Sequence, residues 1–289
     1  MPARSMTAIY RGSGEGTMTY ASIMVGVDDR LHASARVRLA ADVAQRFGAR
    51  LLGAAACLPD YPQSYGETAA PMGLVIEEIR QAALDKLAGA EQAFRAASSL
   101  ADRTVWRSDL AGPVPFLARQ SRAADLVVLG RYADDEGVSP GMTVGVGDAL
   151  MGLGRPVLVV PAGTGHLDAA RVVIGWKNTL QTRRTISDAM PFLRRAEAVQ
   201  VFSVADPADR SDVEDVVGYL ALHDVSASAH VAAPSGWSVA DDLQRAARHF
   251  RADLIVAGGY GYGRLREWFF GGVTRDLLER TPVCCLMSH

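Results

Sequence analysis

A duplicated α/β architecture is the fold class this chain predicts. Three observations predict it: the apolar runs are continuous, helical patterns alternate with them, and the second half repeats the order of the first. From Ser22 the chain reads SIMVGVDD, a short β-branched run. The segment LHASARVRLAADVAQRFGARLLGAAACLP follows, with Leu31, Ala35, Leu39 and Val43 at helical spacing. Gly48 supplies a helix stop, and Leu51 to Cys57 is the next apolar run. The proline- and glycine-bearing stretch LPDYPQSYGETAAPMG reads as a surface loop before an alanine-rich helix over 74–97. The run AADLVVLGR at Ala123 and the run RPVLVVP at Arg155 complete the first copy.

The second copy opens at Arg171 with RVVIGWKNTLQTRRTISDAMPFLRRAEAVQVFSV. Placing Gly26 on Gly175 also places Ala49 on Ala198 without a gap. RADLIVAGG at Arg251 matches AADLVVLGR, and TPVCCLM at Thr281 matches RPVLVVP. A shorter helical stretch, 211–223, stands where the first copy has 74–97. The joining segment PAGTGHLDAA breaks both periods. The expected organisation is a disordered extension over 1–21, a first domain over 22–161, a linker over 162–170 and a second domain over 171–289. Met18 is a candidate start of the folded part.

At 289 residues the chain has room for two domains, each able to bury a core. Apolar residues make up 49% and charged ones 21%, the profile of an ordinary globular protein. A net charge of −2 argues against general affinity for nucleic acid or acidic membranes. No apolar run is long enough to span a bilayer, and the first twenty residues lack the apolar core of a secretory signal. A cytoplasmic location is expected. Cys57, Cys284 and Cys285 have no metal-ligand or CxxC spacing and read as reduced, buried thiols. No histidine pairing suggests a metal site. Ser34 and Thr179 have no evident base, and no GxSxG is present, so no catalytic residue is assigned.

In an open parallel sheet, ligands bind beyond the carboxyl ends of the strands. Two segments of the second copy meet there: Gly175, Trp176 and Lys177, and the glycine-rich stretch from Gly258 and Gly259 through Gly261 and Gly263 to Arg264. Gly271 and Gly272 then precede VTRDLLER, so Val273 and Thr274 open a helix whose first amides could face an anion. Bare backbone allows close approach to a ligand. Arg264 and Arg266 could reach phosphates, while Trp268, Phe269 and Phe270 read as packing against the other domain.

With Gly258, Gly261, nine intervening residues, Gly271 and then Gly272, the chain resembles the universal stress protein family in its tandem form, the likeness covering Ser22 to Leu286. That resemblance implies two five-stranded parallel sheets of the Rossmann-like, adenine nucleotide alpha-hydrolase-like kind, each sandwiched by helices. It also implies that the last strands associate across a twofold axis, giving an intramolecular pseudo-dimer, with a further homodimer expected. It implies binding of ATP or AMP, with Mg²⁺ carried by the nucleotide, by a regulator or sensor with an unknown protein partner. Two departures stand out. Gly272 lacks the hydroxyl found there in nucleotide-binding members, where Thr274 could substitute, and Lys177 replaces an aspartate that the adenosine moiety uses. The first copy keeps Val27 and Asp28, but in its loop only Gly130 and Gly145 match, and Asp134, Asp135 and Glu136 would repel phosphate. That copy is expected to carry a vestigial, silent site. Asp28 has two open readings there, ligand residue or solvated turn. A scaffold of the same fold that has lost its nucleotide is the alternative function.

Overall fold

The computed structural model describes residues 19–61, 72–131, 141–259, 274, 276, 277 and 280–289. The first half runs β1 (Ser22–Gly26), α1 (Ala33–Phe47), β2 (Arg50–Ala56), α2 (Met72–Ala97), β3 (Thr104–Asp109), α3 (Pro113–Ser121), β4 (Leu126–Gly130), α4 (Val146–Gly152) and β5 (Val157–Val160). The second runs β6 (Arg171–Gly175), α5 (Leu180–Leu193), β7 (Ala198–Val204), α6 (Ser211–Ala221), β8 (Ala227–Ala232), α7 (Val239–Phe250), β9 (Leu254–Gly258) and β10 (Cys284–Ser288). Thr274, Asp276, Leu277 and Arg280 are also helical.

Local chemistry sets the boundaries. Gly48 closes α1 in the left-handed conformation, φ 66°, where a side chain would be strained, and its amide meets the carbonyls of Ala44 and Gln45. Thr179 caps α5 by accepting the Thr182 amide, and Ser238 caps α7 by accepting that of Asp241. Leu31 does not extend the α1 stripe: it lies in the turn before the helix and is 83% exposed. Ser34, read as a loop residue, falls inside α1.

All ten strands join one sheet in the order β3-β2-β1-β4-β5-β10-β9-β6-β7-β8. Within each half the pairing is parallel, and the order is the same read inward from either end. At the centre β5 and β10 pair antiparallel, with Leu158 opposite Leu286, Val159 opposite Cys285 and Val157 opposite Met287. Each copy therefore covers the edge of the other, as two apolar terminal strands require. The pseudo-dimer is a continuous sheet.

The two faces carry separate cores. One holds side chains of α1, α2, α5 and α6, among them Leu39, Phe94, Ile186 and Leu220. The other holds Leu117, Leu150, Leu243 and Leu277. Both draw on both halves. The duplicated ADL segments repeat one anchor: Asp125 accepts the amides of Ala21 and Ser22 at the start of β1, and Asp253 accepts those of Ala170 and Arg171 at the start of β6.

Two connecting segments differ from their expected character. Tyr20, placed in the N-terminal extension by sequence, is buried between the halves, its ring 5.1 Å from Phe47 and 5.5 Å from Phe192, and its hydroxyl donates to the Asp188 carbonyl at 2.6 Å. Burial, with Asp188 and Asp125 nearby, pushes its phenol well above the ordinary value. The joining segment is docked as well: Leu167 and Ala169 are buried, and the Arg46 guanidinium donates to the carbonyls of Leu167 and Asp168. His166 lies between Asp42 of α1, at 3.2 Å, and Asp168, at 2.8 Å.

The Asp168 and Asp42 contacts raise the His166 pKa above 6.5. A raised folded-state pKa gives a contribution that is complete below 6.5 and disappears as pH climbs through the raised value. His166→Gln is therefore expected to lower the urea midpoint at pH 5.5 and to leave it unchanged at pH 8.5. Burial also pushes the thiols of Cys284 and Cys285 up to about 12. Neither should react with an aromatic disulfide reagent at pH 8 in the native protein, whereas both should react at once in denaturant.

Candidate functional site

The strand ends of the two halves occupy equivalent places, and among the described residues they carry different side chains. In the first half, β1 ends at Gly26 and the chain turns through Val27 and Asp28, both buried. Arg36, on α1, points back into this crevice. Its Nε donates to the Gly26 carbonyl at 2.9 Å, and its terminal nitrogen lies 3.1 Å from Asp28 Oδ2. The two side chains are only 6% and 4% exposed. Gly130, at the end of β4, makes room for them: a Cβ there would lie 2.0 Å from the guanidinium. The space left beside this pair is about 10 Å³, room for at most a single water.

The sequence expects a silent first site because acidic loop residues would repel phosphate. Asp134, Asp135 and Glu136 lie outside the described residues, whereas Arg36 fills the crevice itself. Asp28 is neither a solvated turn nor available to a ligand. At Gly145, the N-cap of α4, the Asp148 carboxylate stands in the first helical turn, where it disfavours a second anion. The sequence signal that could have found the plug is the unmatched Arg36, which falls on Thr185 in the ungapped alignment.

Among the described residues, the second half builds the same frame with no arginine at the Arg36 position. Gly175 ends β6 beside Ala257 of β9, so Trp176 leaves the sheet at the level of Gly258, with Lys177 following it. Lys177 is exposed. Thr185, at the Arg36 position, is buried and bonds within the fold, donating to the Gln181 carbonyl at 2.7 Å and accepting the Ser288 amide at 3.1 Å. A groove of about 390 Å³ opens beside Trp176, between α5 and α6, with Ile186, Val216 and Tyr219 on its apolar side and Asp212 and Asp215 on its polar rim. Among the described residues the Trp176 indole N–H is buried without a partner. In the first half, α2 runs 26 residues, while α6 has 11, so the helical layer beside Trp176 is shorter.

Two predicted site glycines have structural work instead. A Cβ on Gly258 would lie 2.7 Å from the Thr182 amide nitrogen, so glycine lets α5 approach β9. A Cβ on Gly259 would lie 2.5 Å from Leu150 of the first half. The Gly259 amide donates to the Ser288 carbonyl at 2.9 Å, the same rung that Arg131 makes to Val160 in the first half. It is therefore not available to a phosphate, contrary to the sequence expectation. Thr274 is buried. Gly261, Gly263, Arg264, Arg266, Gly271, Gly272 and Val273 lie outside the described residues, as do Trp268, Phe269 and Phe270.

A wider cleft of about 690 Å³ lies at the junction of the halves. Three of its charged groups are engaged internally: Asp188 takes the Ser288 hydroxyl, Asp125 takes the amides of Ala21 and Ser22, and Arg184 donates to the His289 carbonyl. No metal-binding cluster of His, Cys, Asp or Glu occurs among the described residues, and no helix there is long and apolar enough to cross a membrane.

Against known structures, the whole chain superposes on a universal stress protein from Archaeoglobus fulgidus DSM 4304, covering 92% of this chain and 97% of that one at a TM-score of 0.66. It has the tandem universal stress protein fold. Identity over that match is 13%, so the likeness resides in backbone geometry. A protein of unknown function from Pseudomonas aeruginosa PAO1 matches at TM-score 0.53 and 15% identity, covering 93% of this chain and 92% of that one. A provisionally assigned universal stress protein from P. aeruginosa UCBPP-PA14 matches at 0.54 and 16%, covering 93% of each. No family model matches the sequence. No curated protein matches it. The tandem universal stress protein fold thus carries a strand-end crevice filled by Arg36 in its first half and a groove beside Trp176, between α5 and α6, in its second.

Removing one partner of the closed crevice should be costly, because the other is left charged and buried. Asp28→Asn is expected to destabilise the chain by about 3–5 kcal/mol. Adding Arg36→Met to that variant should recover most of the loss, as chemical denaturation would read.

Proposed function

We propose that the chain is a universal stress protein that binds one adenine nucleotide, ATP or AMP, in its second half and acts by recognition, as a regulator or sensor. The observation that carries this reading is the groove of about 390 Å³ beside Trp176 in the second half, while the first half's strand end is filled by the Arg36–Asp28 pair. A groove with an indole, aliphatic side chains and a few polar groups suits a flat heterocycle. Among the described residues the buried indole N–H has no partner and would need a small ring shift to donate to a ring nitrogen, while Asp212 and Asp215 offer acceptors to an exocyclic amine.

The phosphate end of this reading rests on the sequence, on Gly261, Gly263, Arg264, Gly271, Gly272, Val273 and Thr274, and on Lys177 as an exposed cation. Mg²⁺ would arrive with the nucleotide, and catalysis forms no part of the proposal. A cytoplasmic location and a homodimer follow from the same reading. The exposed strands β3 and β8 end the sheet and are the edges a second copy could meet.

The alternative is a scaffold that keeps the fold without the nucleotide. The consumed Gly259 amide favours it, as does a lysine at 177 where the family's binding members carry an acid. Titration calorimetry with ATP and AMP, with and without Mg²⁺, separates the two readings. The nucleotide reading expects one site per chain and an affinity loss of about 10-fold for Trp176→Ala, the scale of one aromatic contact. Gly261→Val should weaken ATP more than adenosine. No heat of binding to the wild type, or unchanged affinities in both variants, would reject the site.

A further inference from the structure

We infer that the first half's strand-end crevice is a guanidinium site whose ligand is the protein's own Arg36. The crevice offers acceptors: the Gly26 carbonyl faces Nε and the Asp28 carboxylate faces a terminal nitrogen, at 2.9 and 3.1 Å. The other Asp28 oxygen accepts the Arg30 amide at 3.3 Å, which fixes the carboxylate toward the crevice. Gly130 completes the shape, since any Cβ would overlap the guanidinium. A planar cation with directed N–H groups fits this arrangement, and an anion does not.

The second half supports the assignment by what it replaces. The ungapped alignment puts Lys177 at the place of Asp28 and Thr185 at that of Arg36, so the acid and the cation are lost together. Keeping either alone would leave an uncompensated buried charge. The pair thus behaves as one unit, a ligand and its receptor in the same chain. Its consequence is that the first half takes no exogenous ligand of the kind a crevice this size could otherwise hold. The inference is independent of what the second half binds.

The test uses the full chain. Arg36→Ala should lower the thermal midpoint, and millimolar methylguanidinium chloride should raise it again, saturably, relative to equal sodium chloride. Wild type should not respond, and neither should the Asp28→Asn, Arg36→Ala double variant. A folded Arg36→Ala protein without that response, or a wild-type response of equal size, would overturn the inference. Should Arg36→Ala fail to fold, wild type supplies the second measurement: the Arg36 Nε–H should exchange with solvent at least about 100-fold more slowly than those of exposed arginines. Exchange at the exposed rate would overturn it as well.

Discussion

The antiparallel pairing of β5 with β10 is the constraint on which the rest of the structure depends. Val157, Leu158 and Val159 meet Met287, Leu286 and Cys285, and all six are at most 2% exposed. Either strand left at an edge would present apolar side chains and unpaired backbone to water. Joined, they turn two five-stranded sheets into one and set the halves about a pseudo-twofold axis. The Tyr20, Phe47 and Phe192 cluster, and the packing of Gly259 on Leu150, follow from that juxtaposition.

Symmetry of the frame has not kept the two halves alike at their strand ends. The Asp anchors at 125 and 253 and the rungs from Arg131 and Gly259 are the same device used twice. The crevices differ in a concerted way, an internal ion pair in one and a threonine with an outward lysine in the other. A short α6 in place of the long α2 adds the groove beside Trp176. The described groove thereby lies in one half, and the strand end of the other is closed by its own side chain.

Much of the architecture was legible because it is written in periodicity and repetition. Continuous apolar runs gave the parallel strands, Gly48 the end of α1, and the paired apolar termini the central junction. What stayed hidden depends on distances between segments far apart in sequence. Arg36 reads as an ordinary charged residue on a helix until its guanidinium is found within 3 Å of the Gly26 carbonyl. Gly258 and Gly259 look like a ligand loop because composition cannot distinguish glycine demanded by a phosphate from glycine demanded by Thr182 or Leu150. Tyr20 and Leu167 sit in segments whose local sequence signals looseness, and tertiary packing overrides it.

Both faces of the sheet are covered by side chains drawn from both copies, and this bears on how the molecule comes apart. Neither copy can open alone without stripping apolar surface from its sibling. The duplication has therefore produced one cooperative body where length alone would suggest two, and damage to the closed half lowers the integrity of the half that carries the groove. The half whose crevice is closed is still held in place, because its sibling's core is built partly from it.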